Sequence, residues 1–262
     1  MPNSALHVAR TGLEAQDTRM RVIANNLANV GTTGFKRDRA SFATLAYQDS
    51  RVAGQQSSGE TAYAIGMNLG TGVLVQGTAR IDTQGTLNTT GNALDLALDG
   101  DGYFAVQLPG GQTGYTRAGN FSRSAEGALV TAQGYALQPA ITVPEGSTSI
   151  AIAPDGTVSA VAAGESAPTE LGRITVASFA NSAGLQSTGD NFVLETAASG
   201  AAQIGNAGEG GRGNVRQGML EASNVNVVEE LVDMIECQRA YEINSKMISA
   251  VDEMLQNANQ TL

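Results

Sequence analysis

Apolar residues recur at intervals of seven at both ends of the chain. Near the start, Leu6, Leu13, Met20 and Leu27 form one row, and Ala9, Gln16, Ile23 and Val30 each follow three places later. This spacing lays a narrow stripe along one side of a helix and predicts a helix over 4–28. Ser4 is the expected N-cap, and the GTTG run from Gly31 to Gly34 supplies residues suited to a helix end. At the other end, Val227, Met234, Tyr241, Ile248, Leu255 and Leu262 repeat at sevens, with Val251 three places after Ile248. No glycine or proline occurs from Glu221 onward. Asn226 with Glu229 has the spacing of a capping box, so the second helix is expected over 227–259, about 50 Å long at about 1.5 Å per residue.

Such stripes fit a coiled coil, in which polar Gln16 and Asn244 set register at a cost in stability. The same periodicity also fits helices packed on a β core of the same chain. That core is expected between them, because residues 52–220 hold 29 of the 32 glycines and five of the six prolines, interleaved with short alternating apolar runs. Leu94, Leu96 and Leu98 alternate, DGDG from Asp99 to Gly102 reads as a turn, and Phe104, Val106 and Leu108 alternate again, which predicts a hairpin. Further strands are expected around 128–132, 149–153, 173–179 and 191–196. The polar stretch 48–70 lacks a period and reads as an extended connector. The fold class is therefore α+β. Residues 1–30 and 226–262 would form a helical coiled-coil domain, 31–71 and 212–225 connectors, and 72–211 a β-rich outer domain of one lobe or two.

The net charge of -10 argues against a phosphate-binding surface. Counted by segment, residues 1–51 carry seven basic and four acidic groups, and residues 221–262 two basic and eight acidic, so the two ends differ in sign. One histidine, His7, and one cysteine, Cys237, leave no disulfide and too few ligands for a zinc site of His and Cys. Neither residue sits in a catalytic motif, so no catalytic, cofactor or metal residue is predicted and no enzymatic activity is expected. Asp95, Asp99 and Asp101 invite a calcium reading, but EF-hand spacing puts Ala97 and Val106 at ligand positions, and Asp and Gly serve a turn for backbone reasons. No apolar run approaches a membrane span, and the N-terminus lacks the pattern of a cleaved secretory signal.

The wording of the two ends carries more than their period. IANNLANVGTTGFKRDRASF, from Ile23 to Phe42, and EASNVNVVEELVDMIECQRAYEINSKMISAVDEML, from Glu221 to Leu255, resemble the terminal signatures of bacterial flagellar axial proteins of the rod and hook family. LDLALDGDGYFAVQLP, YTRAGNFSRSAEGALVTAQGY and LQPAITVP extend the resemblance across the centre. Within that family, the length and the connector after Tyr47, with GQQSSGETAYAIGMNLGTGV, resemble a distal-rod member more than a hook member, with the proximal rod as the alternative. A soluble β-rich binding protein with a helical stalk is the alternative outside the family. The resemblance implies a homopolymer whose inner layer is built from the terminal helices, with Leu6, Leu13, Met20, Ile23, Leu27, Val227, Met234, Tyr241, Ile248, Val251 and Leu255 as packing residues. It also implies contacts with a proximal rod protein, a hook protein, P and L ring proteins and the flagellar type III export apparatus, in a rod that spans the periplasm.

Overall fold

The computed structural model describes residues 2–52, 54–58, 61–162 and 167–260. The chain is α+β: helix α1 (Pro2–Ala28) opens it, helix α2 (Val227–Gln260) closes it, and antiparallel ladders lie between. The helix starting at Pro2 places Ser4 inside the first turns and not at the cap; a proline at the start lacks only an N–H that has no intrahelical partner there. Helix α2 begins at the expected Val227 and carries Glu229 and Glu230 in its first turn, where carboxylates favour the positive end of the helix dipole.

The chain divides into two units. The first gathers 1–27, 38–79 and 227–262. Beside the helices it holds Asp38–Thr44 paired with Val73–Arg80, Gln48–Arg51 paired antiparallel with Met67–Leu69, and Gln56–Ser58 paired with Thr61–Ala62. The aperiodic 48–70 stretch thus forms short ladders, and the exposed strands Gln48–Arg51 and Met67–Leu69 impose no alternation on the sequence.

The second unit comprises 28–37 and 80–226. Its main sheet runs, in order, Gln186–Gly189, Phe192–Leu194, Thr113–Thr116, Tyr103–Gln107, Thr175–Ser178, Gln203–Asn206, with Leu137–Gln138 also paired to Tyr103–Gln107. Both faces of this strand are buried from Tyr103 to Val106. Phe104 and Val106 enter a cluster with Leu98, Leu129, Leu137 and Val176. Tyr103 and Ala105 join Tyr115, Ala177 and Val193 on the other side. A three-stranded sheet, Ser147–Ile152, Thr157–Ala162 and Thr169–Arg173, completes the larger ladders.

The expected hairpin around DGDG is not formed. Leu96–Asp99 pairs with Asn214–Gln217, while Tyr103–Gln107 pairs with Thr113–Thr116. Gly100 and Gly102 take φ of 117° and 134°, and Leu96, Ala97 and Leu98 are all buried. Local alternation marks which residues share a face and does not say which strand lies alongside. Two of the three carboxylates of the calcium reading serve as fasteners: Asp95 accepts from Thr90 Oγ1 and Asn92 Nδ2, and Asp99 pairs with Arg216 at 2.9 Å. Among the described residues no group of three or more His, Cys, Asp or Glu side chains is placed to hold a metal, and no helix is long and apolar enough to cross a membrane.

Candidate packing site on the terminal helices

Four contacts bring α1 and α2 side by side in opposite directions. Asn26 Nδ2 donates to the Glu230 carboxylate at 3.2 and 3.3 Å, Arg19 Nη2 meets Asp233 Oδ1 at 2.9 Å, Cys237 Sγ donates to the Gln16 carbonyl at 3.1 Å, and Gly12 faces Asn244. As one number rises from 12 to 26 the other falls from 244 to 230. At Gly12 the helices leave little room, since a Cβ there would stand 3.2 Å from Asn244 Nδ2. The two polar seam residues both lie in this pairing: the Gln16 backbone receives the thiol, and Asn244 covers Gly12.

Asn26 also fixes the chain reversal after α1. Its Nδ2 donates to the Asp38 carbonyl at 2.9 Å and its Oδ1 accepts from the Asp38 N–H at 3.0 Å. A buried side-chain amide that satisfies one backbone group each way specifies that crossing strongly, because its loss would strand both. The opposite signs of the two ends are used at Arg19, which faces Asp233 and, at 3.8 Å, Glu236. These side chains are a third or more exposed, so the pair contributes only about 0–1 kcal/mol. Cys237 is wholly buried, and burial, ahead of every other influence, raises its thiol pKa above the ordinary value.

The sequence-predicted packing residues distribute unevenly. Ile23 is buried, as is Ala9 beside the row; Leu6, Leu13, Met20 and Leu27 are half-buried. On α2, Met234, Ile248 and Val251 are half-buried, Val227 and Tyr241 are exposed, and the side chain of Leu255 lies outside the described residues, as does Leu262. Val30 stands past the end of α1 and is exposed. The α2 row of sevens drifts about 20° per repeat around a straight helix, so it moves from a flank at Val227 toward the buried side at Ile248.

A second apolar set on α2 escapes the heptad count. Val228, Leu231, Val232, Ile235, Ile243, Met247 and Met254 are all exposed, Val228 by 69%. At about 100° per residue Val228, Leu231, Val232, Ile235 and Ile243 fall on the side of α2 turned away from Glu230 and Cys237, while Met247 and Met254 stand on its flank. Their signal in the sequence was a spacing of three and four, 228, 231, 232 and 235, running alongside the sevens. One helix thus has two apolar sides, of which its own chain covers one. An exposed stripe of this length on a helix is the mark of a protein–protein contact.

Among the described residues of these helices His7 and Cys237 are both engaged by backbone oxygens. His7 Nδ1 lies 3.2 Å from the Thr71 carbonyl oxygen, and the buried thiol of Cys237 is capped by a backbone oxygen.

Comparison with known proteins accounts for nearly the whole chain. Residues 6–36 match the family described as flagella basal body rod protein, residues 97–160 the flagellar hook protein FlgE/F/G D1 domain, and residues 216–261 the flagellar basal body rod FlgEFG protein C-terminal region. Flagellar basal-body rod protein FlgG of Buchnera aphidicola from Acyrthosiphon pisum is 50% identical over 98% of both chains, and FlgG of Caulobacter vibrioides is 47% identical over 98% of both. Flagellar basal-body rod protein FlgF of Caulobacter vibrioides is 34% identical over 99% of this chain and 98% of its own. Identity at that level from end to end, with both helical signatures inside the match, means that the chain belongs to the FlgG family of flagellar basal-body rod proteins.

Proposed function

We propose that this chain is the structural subunit of the distal flagellar rod, a rigid tubular homopolymer that transmits torque from the motor to the hook. The observation that carries the reading is the outward apolar side of α2, which a single chain leaves in water. Full burial of one such side chain contributes about 1.5–3 kcal/mol, so covering three or four of them exceeds anything the exposed ion pairs between α1 and α2 can supply. In this reading the inward side of α2 holds α1 of the same subunit, and the outward side packs against neighbouring copies as a coiled-coil inner layer. Residues 31–71 and 212–225 connect that layer to an outer β-rich region. The higher identity to FlgG than to FlgF relatives favours the distal over the proximal rod.

The rod would span the periplasm, with a proximal rod protein below, a hook protein above, P and L ring proteins around it, and subunits delivered by the flagellar type III export apparatus. The test is complementation of a strain lacking the protein, with electron microscopy of its basal bodies. Ile235→Asp on the outward side is expected to leave the second unit folded and to abolish the distal rod. Normal distal rods from that variant would overturn the assignment of the outward side to subunit packing.

A further inference from the structure

Inside the second unit lies a buried charged network that the helical packing does not use. Glu221 is 0% exposed and Lys36 2%. The Lys36 ammonium sits against Glu221 Oε1 and donates to the Thr83 carbonyl at 2.8 Å. Glu221 Oε1 also accepts from the Gly85 N–H at 2.9 Å, and Oε2 faces Arg117 Nη1 at 3.2 Å. Arg117 Nη2 donates to the Gly100 carbonyl at 2.8 Å, and the guanidinium lies 5.6 Å from the centre of the Tyr103 ring. Tyr103 in turn donates to Asp82 at 3.0 Å. Two cations and two carboxylates therefore share one interior.

What makes the network more than a satisfied core is the origin of its members. Lys36 belongs to 28–37, the segment that follows α1 in the chain, and Glu221 to the segment that precedes α2. Their backbones meet as well: Gly34 N–H donates to the Glu221 carbonyl at 2.8 Å. Gly34 has φ +68°, and a Cβ there would stand 2.6 Å from the Arg117 carbonyl carbon, so the approach requires glycine. Three residues on, Asn224 accepts from the Arg37 N–H at 2.8 Å and donates to the Ile81 carbonyl at 2.8 Å.

We infer that Glu221 is the keystone of a latch that fastens both terminal crossings to the β unit through one buried carboxylate, so that neither crossing is held without the other. Its carboxylate takes Lys36 of the N-terminal crossing and the Gly85 N–H with Oε1, and Arg117 with Oε2, while its own strand, Met219–Glu221, pairs with Leu87–Thr89. A neutral side chain there leaves Lys36 and Arg117 as buried cations near each other with Asp82 as their nearest counter-charge, and the smallest relief is for the lysine to swing to water, which frees its segment. The latch is a property of the folded second unit and stands apart from the polymer reading.

Hydrogen exchange by mass spectrometry on the full chain tests it. In Glu221→Gln, exchange at 32–36 is expected to accelerate at least tenfold together with 219–222, although 185 positions separate Lys36 from Glu221. Lys36→Met is expected to act in reverse, accelerating 219–222. Acceleration confined to the substituted segment in either variant would overturn the latch. Should Glu221→Gln not fold, Glu221→Asp keeps the charge and shortens the arm by one methylene, and is read at the same two segments with the same criterion.

Discussion

Gly34 and Tyr103 show how single positions in the second unit are constrained. Gly34→Ala meets both a left-handed backbone and the Arg117 main chain, so it is expected to lower stability by about 1–3 kcal/mol in urea unfolding. Gly31→Ala in the same turn meets no atom within 4 Å and should change little. For Tyr103, burial first and the Asp82 carboxylate second push the phenol pKa well above its ordinary 10.0. The folded chain therefore keeps a proton that the unfolded chain sheds. The stability this supplies is complete below about pH 10 and is lost as pH rises toward the folded value. Tyr103→Phe lacks that dependence, so the gap in stability between the parent and Tyr103→Phe should narrow above about pH 10. A gap independent of pH would refute the account of Tyr103.

At the scale of elements, α2 decides most. Its inward side carries Glu230 and Cys237, both buried; its outward side carries Val228, Val232 and Ile235, all exposed. Substitutions on the two sides are expected to separate. Ile235→Asp should leave the pairing of α1 with α2 intact, whereas Ile248→Asp, at a half-buried position on the row that drifts inward, should loosen that pairing as well as assembly. Circular dichroism on verified monomers distinguishes the two, with helicity reduced only by Ile248→Asp. The β elements obey a similar division. Tyr103–Gln107 alternates as its residues suggest, but its neighbours Thr113–Thr116, Leu137–Gln138 and Thr175–Ser178 come from different reaches of the chain. Alternation tells which side chains share a face and is silent on which strand lies next door.

For the whole molecule, the thiol of Cys237 is a built-in probe of the proposed assembly. The thiolate is the form that attacks thiol reagents, and burial both shields the sulfur and raises its pKa. Contacts between the helices that are largely polar and partly exposed hold α2 weakly in one chain, so the thiol is expected to react measurably in monomer and at least tenfold more slowly in assembled rods. Equal rates in both states would count against ordering of the helices by assembly. The same ordering predicts that monomer helicity falls short of the helix length of the folded chain and rises on polymerisation.

Both helices, the α+β class and the strands around 129, 150, 175 and 193 were legible from spacing alone, because a helix or strand repeats its environment at a fixed interval and the residues record it. Kinship with flagellar rod proteins was legible in the wording of the two ends. Three things were not. DGDG looked like a local turn between partners, yet its flanking strands pair elsewhere, since long-range pairing leaves no local period. The row of sevens on α2 named one apolar side of a helix that has two, and only the position of α1 showed which side a single chain covers. Lys36 and Glu221 stood inside the recognised signatures with nothing in the sequence to pair them; it took the folded chain to bring residues from its two ends around one carboxylate, because burial and ion pairing are properties of neighbours in space.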